Sequence, residues 1–548
     1  MNQKRLISVL LCITVIALTV IPAFAADDGK AFSFIEYPEK AISPFSDEIT
    51  ERISSGDDYL SNRGYDETGL YISPYWTLKV NGTAVPLYAA AVYDWALGTG
   101  VIQSFQYIFA ENGTDLFINL AFGGKVKNVK VLPEKLGCTA KTDGNTVYTH
   151  LNRTGTYTFL INGDSQKYAV TLFVREKKNE TEEIKRYKEI YGAENVQVYE
   201  RGYYEPESIP ADKKVIYFKA GSFISAKHLK DVRSADDAQN YPLPEFFDIN
   251  SKDGMIITGC GTVDFTKLDR QERNLITLNF CKNTVFENLI LLNPNSWTVT
   301  AYGCENCTVN DITVFGYRTN SDGINICGCN NMTVRDSFCR NGDDCFSVKT
   351  TNTVFETHDI SFTGCIGWSN KARCFGITGE VERDIYNITF SDCSVIFRNA
   401  VWDNDRVGSL AIAVETGSGN IDNILFENIE IHHDDGRAIY CMVYGEGISD
   451  CRVSNVKFRN ISFDSDEKIK LSSERTISKK GERSSASAML LKHIGLDRLK
   501  LIKKLIEALE KNYDSTNSIS VGFENVCANG HRLRKSDLLI QGNVEYTI

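Results

Sequence analysis

The sequence lacks an excess of positive charge. Lys and Arg number 60 against 71 Asp and Glu, which gives a formal net charge of -11. Nucleic acid binding normally needs a clustered cationic surface that neutralises phosphates, so this composition argues against a nucleic-acid partner. Beyond its first residues the chain also lacks an apolar segment long enough to cross a bilayer. We therefore expect no membrane span in the mature protein.

The N-terminus has the pattern of a secretory signal peptide over residues 1–25. Lys4 and Arg5 precede an apolar run from Leu6 to Ile21, and a small-residue cleavage site ends at Ala25. We expect cleavage after Ala25 and secretion of the mature protein. An uncleaved membrane anchor is the alternative, but the apolar run is short for one.

The cysteines lack the even number of a complete disulfide framework. Sixteen are present, and removal of Cys12 with the signal peptide leaves fifteen, so at least one thiol stays unpaired or pairs between chains. Most of them recur inside a repeat, where a small apolar side chain suits a narrow core. The Cys304-x-x-Cys307 and Cys327-x-Cys329 pairs offer a metal or redox site as an alternative, but no histidine lies nearby in the sequence.

Residues 26–175 consist of short alternating strands separated by turn residues. Trp76–Val80 and Thr156–Ile161 are examples, each followed by Asn-Gly. This pattern predicts an antiparallel β-sandwich. The next stretch, 176–200, is strongly charged and is typical of a linker with room for a short helix.

Residues 201–548 carry a repeat of the form Asn-x-x-Phe/Val-x-Asn/Asp. A unit this short cannot bury its own apolar face, so neighbouring units must stack. The period-two alternation within each unit predicts an all-β fold, a right-handed parallel β-helix. The sixth position holds residues that tolerate turn geometry. The fourth positions are expected to form an internal ladder; they are Phe286, Val309, Val334, Phe362, Phe390, Phe426, Phe458 and Phe523.

One segment, 464–517, departs from the repeat. It is charged at first and then places apolar residues at helical spacing. We predict an inserted loop with an amphipathic helix from Asp497 to Asn512 that packs on the solenoid. A membrane-surface or partner helix is the alternative.

Two acidic motifs, Asn320-Ser321-Asp322-Gly323 and Gly342-Asp343-Asp344-Cys345, lie one repeat apart. Successive coils of a parallel β-helix are about 4.8 Å apart. Asp322 should therefore lie beside Asp343 and Asp344, provided that a turn at Gly342 lets both face one cleft. Carboxylates so close raise one another's pKa and suit the acid and base steps of glycoside hydrolysis. Ordinary turn aspartates or calcium ligands are the alternative.

These motifs resemble the core of glycoside hydrolase family 28, the polygalacturonases, as do Asn295-Ser296-Trp297 and the run that ends at Lys349. They are also similar to family 49, the dextranases, which carry an N-terminal β-sandwich. The resemblance implies an inverting hydrolase in which Asp343 is the general acid and Asp322 and Asp344 orient and deprotonate water. No cofactor or metal is expected, because two carboxyls suffice for the chemistry.

The sequence also departs from the family 28 pattern. That family has a Gly-His-Gly on the next coil and an Arg-Ile-Lys on a later one; here 367–376 has no histidine and 411–416 no cation. Selection for galacturonate is thereby put in doubt, since buried carboxylates are usually bound by Arg or Lys. Lys371 and Arg373 are candidates to supply the charge. The full set of candidate substrate-binding residues is Asn320, Trp297, Lys349, Trp368, Lys371, Arg373 and Glu380.

The sequence thus predicts a secreted, monomeric, inverting glycoside hydrolase that acts on a pectic or dextran-like polysaccharide or an oligosaccharide from it. A polysaccharide lyase on the same scaffold is one alternative, and it would need calcium and a basic residue. A non-catalytic carbohydrate-binding solenoid is the other. The pair His432-His433 before Asp434 suggests a metal cluster, but adjacent histidines on a turn are more often solvated.

Overall fold

The computed structural model describes residues 31–548 except 55–63, 95–98, 164, 228–244, 271, 352, 400–406, 445–447, 449, 466 and 474–515. The predicted signal peptide and the predicted helix from Asp497 to Asn512 lie outside the described residues. Within the described part, no helix combines the length and the apolar character needed to cross a membrane.

The N-terminal part is built from two sheets and a short helix, α1 (Asp47–Ser54). Its strands are β1 Phe32–Phe34, β2 Leu70–Ile72, β3 Trp76–Val80, β4 Thr83–Val85, β5 Tyr88–Asp94, β6 Thr99–Ala110, β7 Leu116–Phe122, β8 Val129–Leu132, β9 Ala140–Asp143, β10 Thr146–Leu151, β11 Gly155–Ile161 and β12 Ser165–Glu176.

These strands form the predicted sandwich. One sheet has the order β2-β5-β6-β12-β11-β8, with β1 on β6, and the other has the order β4-β3-β7-β10-β9. All neighbours are antiparallel except β6 and β12, which run parallel. Apolar side chains from both sheets share one core, as the alternation of buried and exposed residues in β3 and β7 requires.

The predicted linker contains a helix, α2 (Glu180–Tyr191), whose N-terminus is capped by the side chain of Asn179. Its charged residues contact the first coils of the solenoid. Tyr217 donates a hydrogen bond to Glu183 (2.8 Å), and the Ala220 N–H donates one to Glu180 (2.8 Å). The helix is therefore packed on the β-helix. The predicted boundaries 176–200 remain a proposal for where one unit ends and the next begins.

The C-terminal part is the parallel β-helix that the repeat predicts. Its strands are β13 Val196–Tyr199, β14 Gly202–Tyr204, β15 Val215–Phe218, β16 Ser222–Ser225, β17 Phe247–Asn250, β18 Ile256–Gly259, β19 Thr262–Asp264, β20 Ile276–Asn279, β21 Val285–Glu287, β22 Ile290–Leu292, β23 Val299–Tyr302, β24 Thr308–Asn310, β25 Thr313–Phe315, β26 Ile324–Cys327, β27 Asn330–Arg335, β28 Phe338–Asn341, β29 Phe346–Lys349, β30 Thr357–Thr363, β31 Ile366–Ser369, β32 Phe375–Glu380, β33 Ile385–Ser391, β34 Ser394–Asn399, β35 Leu410–Thr416, β36 Ile421–Ile431, β37 Asp434–Asp435, β38 Ile439–Val443, β39 Arg452–Phe463, β40 Ile469–Ser472, β41 Ser518–Glu524, β42 Cys527–Ala528, β43 His531–Arg532, β44 Leu538–Gln541 and β45 Val544–Thr547.

Each full coil contributes one strand to a ten-stranded sheet and two to a 23-stranded sheet. The ten-stranded sheet has the order β17-β20-β23-β26-β29-β32-β35-β38-β40-β44. Strand β40 lies within the predicted insertion 464–517, so this part of the prediction is corrected: the chain continues the solenoid through Ser472. The apolar alternation of Ile469 and Leu471, both buried, explains why.

The internal ladder is confirmed. All eight fourth-position side chains are buried and pair in register from coil to coil. The rings of Phe390 and Phe426 stack at 4.8 Å, as do those of Phe426 and Phe458. The sixth-position residues adopt positive φ, for example Asn428 at 55°. Asn tolerates this conformation, and its side chain donates to Asp392 one coil earlier (3.2 Å).

The sandwich packs on one face of the solenoid. The rings of Phe105 and Phe315 stack at 4.9 Å, and Arg175 makes a two-pronged ion pair with Asp311 (2.6 and 2.7 Å). The contact covers the row of strands β22, β25, β28 and β31. That row leads directly into the turns that precede the ten-stranded sheet, so the sandwich supports the strands from which these turns emerge.

Candidate active site

The predicted catalytic aspartates lie in two successive turns at the start of the ten-stranded sheet. Asp322 lies between β25 and β26, and Asp343 and Asp344 lie between β28 and β29. One carboxylate oxygen from each of the three lies within 4.8 Å of the others. The structure thus brings together the trio that the repeat spacing predicted.

Hydrogen bonds within the two turns fix the trio. The Asn341 side chain donates to the carbonyl oxygens of Ser321 (2.7 Å) and Asp344 (2.9 Å), which ties one turn to the next. Gly342 is required between them, because a Cβ there would lie 2.3 Å from the Arg318 carbonyl oxygen. The tight turn at Gly342 is what lets two consecutive aspartates reach one cleft.

Asp343 has the environment of a proton donor. Burial, followed by the charge of Asp344, raises its pKa from 3.8 to about 6. Its two oxygens accept hydrogen bonds from the backbone N–H groups of Asp344 (2.9 Å) and Asn320 (3.3 Å). Near pH 6 this carboxyl is therefore protonated in a substantial fraction of molecules.

Asp322 is buried against Lys349. Burial raises the pKa of Asp322 well above its usual value, and the Lys349 ammonium, 3.3 Å from its Oδ2, opposes that rise. Burial works against protonation of Lys349, but the carboxylates of Asp322, Asp344 and Glu380 raise its pKa above the ordinary lysine value. Lys349 is therefore a fixed cation whose charge is already matched within the site.

Asp344 is held by Arg373. The Arg373 backbone N–H donates to Asp344 Oδ1 (3.1 Å), and its guanidinium lies 3.4 Å from Oδ2. The same guanidinium pairs with Glu415 from a later coil. Arg373 is buried and already bonded to two carboxylates, which corrects the prediction that its charge is available to a substrate carboxylate.

The remaining predicted substrate-binding residues surround the trio, except one. Lys349 Nζ lies 4.3 Å from the centre of the partly exposed Trp297 ring and 3.7 Å from Glu380 Oε2. Lys371 donates to the Thr319 hydroxyl (3.1 Å), on the turn that carries Asn320 and Asp322. Trp297, Lys349, Glu380, Lys371 and Asn320 therefore lie beside the turns that carry the trio.

Trp368 does not belong to this group, and its prediction as a sugar platform is corrected. Its side chain is 0% exposed, its indole N–H donates to Gln166 of the sandwich (3.1 Å), and the Arg340 guanidinium lies 3.8 Å above its ring. It packs between solenoid and sandwich. Sequence periodicity cannot show that a second unit covers this strand.

Sequence reasoning missed several polar groups beside the trio. The Arg270 guanidinium, from an earlier coil, donates to the Asn320 side-chain oxygen. Asn325 and Asn370 are buried, and no amide atom of either side chain has a protein partner. Buried polar groups normally find partners, so two fully buried amides without one are an unusual feature of this part of the sheet. Asn325 lies in strand β26 between Thr300 of the preceding coil and Ser347 of the following one, a row of polar residues at equivalent positions of the repeat.

The trio is the one group of His, Cys, Asp and Glu side chains in the described part of the chain whose ligand atoms approach closely enough to hold a metal ion. Lys349 and Arg373 already neutralise two of its carboxylates, an arrangement that competes with a cation rather than assisting it. The second candidate cluster is not assembled: Asp434 is taken up by a buried pair with Arg398 (2.5 and 2.9 Å), and His432 faces Glu430 (3.4 Å).

The fold and this cluster of carboxyls are those that the resemblance to family 28 implies, and comparisons with known proteins agree. Residues 251–493 match the model of the glycosyl hydrolases family 28. Polygalacturonase QRT2 of Arabidopsis thaliana is 25% identical over 195 residues, covering 34% of this chain and 42% of that protein. The α-L-rhamnosidase rgxB of Aspergillus niger is 25% identical over 207 residues, covering 35% and 47%. The chain thus spans less than half the length of these two relatives.

The fold of most of the chain has a solved counterpart. Dex49A from Penicillium minioluteum matches 89% of this chain and 96% of its own, with a TM-score of 0.52 and 10% identity. At that identity the match shows a shared fold and no more. The resemblance to family 28 is confirmed by the match over residues 251–493, and the similarity to the dextranase-like architecture is confirmed by the shared fold.

Proposed function

We propose that the protein is a secreted, inverting glycoside hydrolase that cleaves O-glycosidic bonds in a pectic or dextran-like polysaccharide or an oligosaccharide from it. The observation that carries the proposal is the trio: three carboxyls within 4.8 Å of one another, one of them with a pKa of about 6. Such a group supplies a proton donor and a proton acceptor at the same pH.

Each member of the trio has a separate task. Asp343 donates its proton to the glycosidic oxygen as the bond to the anomeric carbon breaks. Asp344, which is paired with Arg373, accepts a proton from the attacking water, and Asp322 orients that water together with Lys349. The three share their protons as a coupled system, so the apparent pKa values of the reaction belong to the trio as a whole.

The inverting stereochemistry can be tested separately from hydrolysis itself. Carboxyls of inverting enzymes are typically about 6.5–9.5 Å apart, which leaves room for water, whereas the nearest oxygens here lie within 4.8 Å. The water must therefore lie beside the trio rather than between its members. Proton NMR of the first product anomer decides the question, and a retained anomer would contradict inversion while leaving hydrolysis intact.

The charges of the cleft bear on the sugar it takes. Lys349 and Arg373 face four carboxylates in total, Asp322 and Glu380 for the first and Asp344 and Glu415 for the second. Neither cation is left over for a uronic acid. We propose that any uronate recognition depends on Arg270 and Lys371, which flank the turn at Asn320.

The test is a screen of the purified protein against polygalacturonate, rhamnogalacturonan, dextran and other glucans, with detection of new reducing ends. Asp343→Asn should abolish the activity, whereas Asp115→Asn, an exposed aspartate of the sandwich, should keep it as a matched control. Products with an unsaturated ring, seen by ultraviolet absorbance, would instead identify a lyase. Binding without cleavage of any substrate would point to a carbohydrate-binding solenoid.

A further inference from the structure

An exposed apolar patch lies beyond the C-terminal ends of strands in the ten-stranded sheet, at the end opposite the turns that carry the trio. Phe280, Val354 and Phe355 are 54%, 73% and 49% exposed, and the two rings meet edge to face with centroids 6.3 Å apart. Large apolar side chains grouped on a surface commonly mark a binding site. Phe280 follows β20, and Phe355 follows β29.

The backbone at Phe280 is held in an unfavourable conformation. Its φ is 52°, and among the described residues it is the one aromatic residue with positive φ; the other non-glycine cases are Asn, Asp and Ser. A bulky side chain is disfavoured in this region, and such strain is concentrated at functional positions. The neighbouring coil makes room for the ring, because a Cβ on Gly303 would lie 2.6 Å from it.

The patch borders the row of the ten-stranded sheet that contains Lys349, because Asn279, Tyr302, Cys327 and Lys349 pair in register across four neighbouring strands. The Phe280 N–H donates to the carbonyl oxygen of Tyr302 (2.8 Å), and Tyr302 is the last residue of β23. Tyr302 pairs with Cys327, so Gly303 is level with Gly328, which lies six residues after Asp322. Six residues of strand span roughly 20 Å. This length accommodates several sugar rings.

We propose that Phe280 and Phe355 form a distal sugar-binding site that holds the same polysaccharide chain whose bond is cleaved at the trio. The inference rests on the proposed function and extends it, because it makes the enzyme one that engages long chains. The occupant is a run of pyranose rings, whose apolar C–H faces pack on the exposed phenylalanine rings while their hydroxyls stay in water.

The test measures binding separately from cleavage. Wild type and Asp343→Asn are run in native gels that contain dextran or polygalacturonate, and retardation gives the dissociation constant. Phe280→Asn is the test variant, since Asn accepts positive φ and removes the ring without adding strain. Phe117→Ser is the matched control: Phe117 is 58% exposed and stacks on His150 in the sandwich.

We expect Phe280→Asn to weaken binding roughly tenfold in both backgrounds, to leave the melting temperature equal or higher, and to leave activity on di- and trisaccharides unchanged. Phe117→Ser should change none of these. Retardation that is unaffected by Phe280→Asn, or absent in every gel, overturns the inference. So does a dimer in sedimentation that Phe280→Asn dissociates, because the patch would then be an interface between copies.

The outcomes also separate the inference from the proposed function. If the wild type hydrolyses none of the screened substrates but is retarded through Phe280, sugar binding at the patch stands, whereas the hydrolase assignment and the link of the patch to cleavage fail. If it hydrolyses a polysaccharide with no dependence on Phe280, the assignment stands and the distal site fails.

Discussion

Replacing the proton donor should make the protein more stable while it destroys the activity. In the folded state burial raises the pKa of Asp343 from 3.8 to about 6. Because the folded pKa is the higher one, the favourable contribution is complete below pH 4 and is lost as the pH rises through about 6. The ionised carboxylate thus costs about 3 kcal/mol of unfolding free energy near neutral pH.

Asp343→Asn removes this cost, because Asn carries no charge at any of these pH values. The change also removes one of the two hydrogen bonds that the Asp343 side chain accepts from the Asn320 and Asp344 N–H groups. This loss reduces the gain in stability by about 1 kcal/mol. We expect the variant to exceed the wild type by roughly 1–2 kcal/mol at pH 7.5, and to show no gain at pH 4. Urea unfolding at the two pH values measures the difference.

The activity should respond to the leaving group. Loss of a general acid typically lowers the rate about 10²–10⁴-fold, but a leaving group that needs no proton is spared most of that loss. Asp343→Asn should therefore be severely impaired on the polysaccharide and far less on the dinitrophenyl glycoside of the same sugar. Equal losses on both substrates, or a stability gain that is the same at pH 4 and pH 7.5, would refute the reasoning.

Three further predictions follow from buried contacts. Trp368→Phe should lower the unfolding free energy by about 1–3 kcal/mol, because the hydrogen bond to Gln166 is lost, and should leave KM unchanged. Trp297→Ala should raise KM with little effect on stability. The reverse pattern would show that the two tryptophans are misassigned. Arg398→Met should cost about 3–5 kcal/mol in urea unfolding because it leaves the Asp434 carboxylate buried without its partner, and a neutral effect would contradict the pairing. Thiol titration of a chain that lacks residues 1–25 should count fifteen free cysteines after denaturation, and dithiothreitol should leave its melting temperature unchanged, since all fifteen are unpaired and thirteen are buried.

The repeat could be recognised in the sequence because stacking places equivalent residues at the same position of every coil. The positions of Phe390 and Phe426 are equivalent, so their identities could be aligned and their ladder predicted from the sequence. The trio followed from the same rule, since Asp322 and Asp343 occupy equivalent turns. The segment around Ile469 was misjudged because its strand is short and the charged residues before it hide the alternation.

The residues that contact the trio could not be identified from the repeat. Glu415 reaches Arg373 from a later coil, and Arg270 reaches Asn320 from an earlier one. Such contacts depend on side-chain direction across coils of unequal length, which the repeat does not specify. The burial of Trp368 depends on a sandwich more than 180 residues earlier in the chain, and no local pattern encodes that docking.

The four turns that build the cleft belong to successive coils, which are joined by strand pairing and by hydrogen bonds between neighbouring turns. Trp297, Asp322, Asp343 and Arg373 therefore occupy separate, exchangeable segments of the chain. A change of length or sequence in one turn alters one contributor and leaves the spacing of the others intact, because that spacing is a property of the sheet. In such a solenoid the turns that contact the sugar can change one at a time while the spacing of the catalytic residues is kept. One scaffold can acquire new substrates in this way.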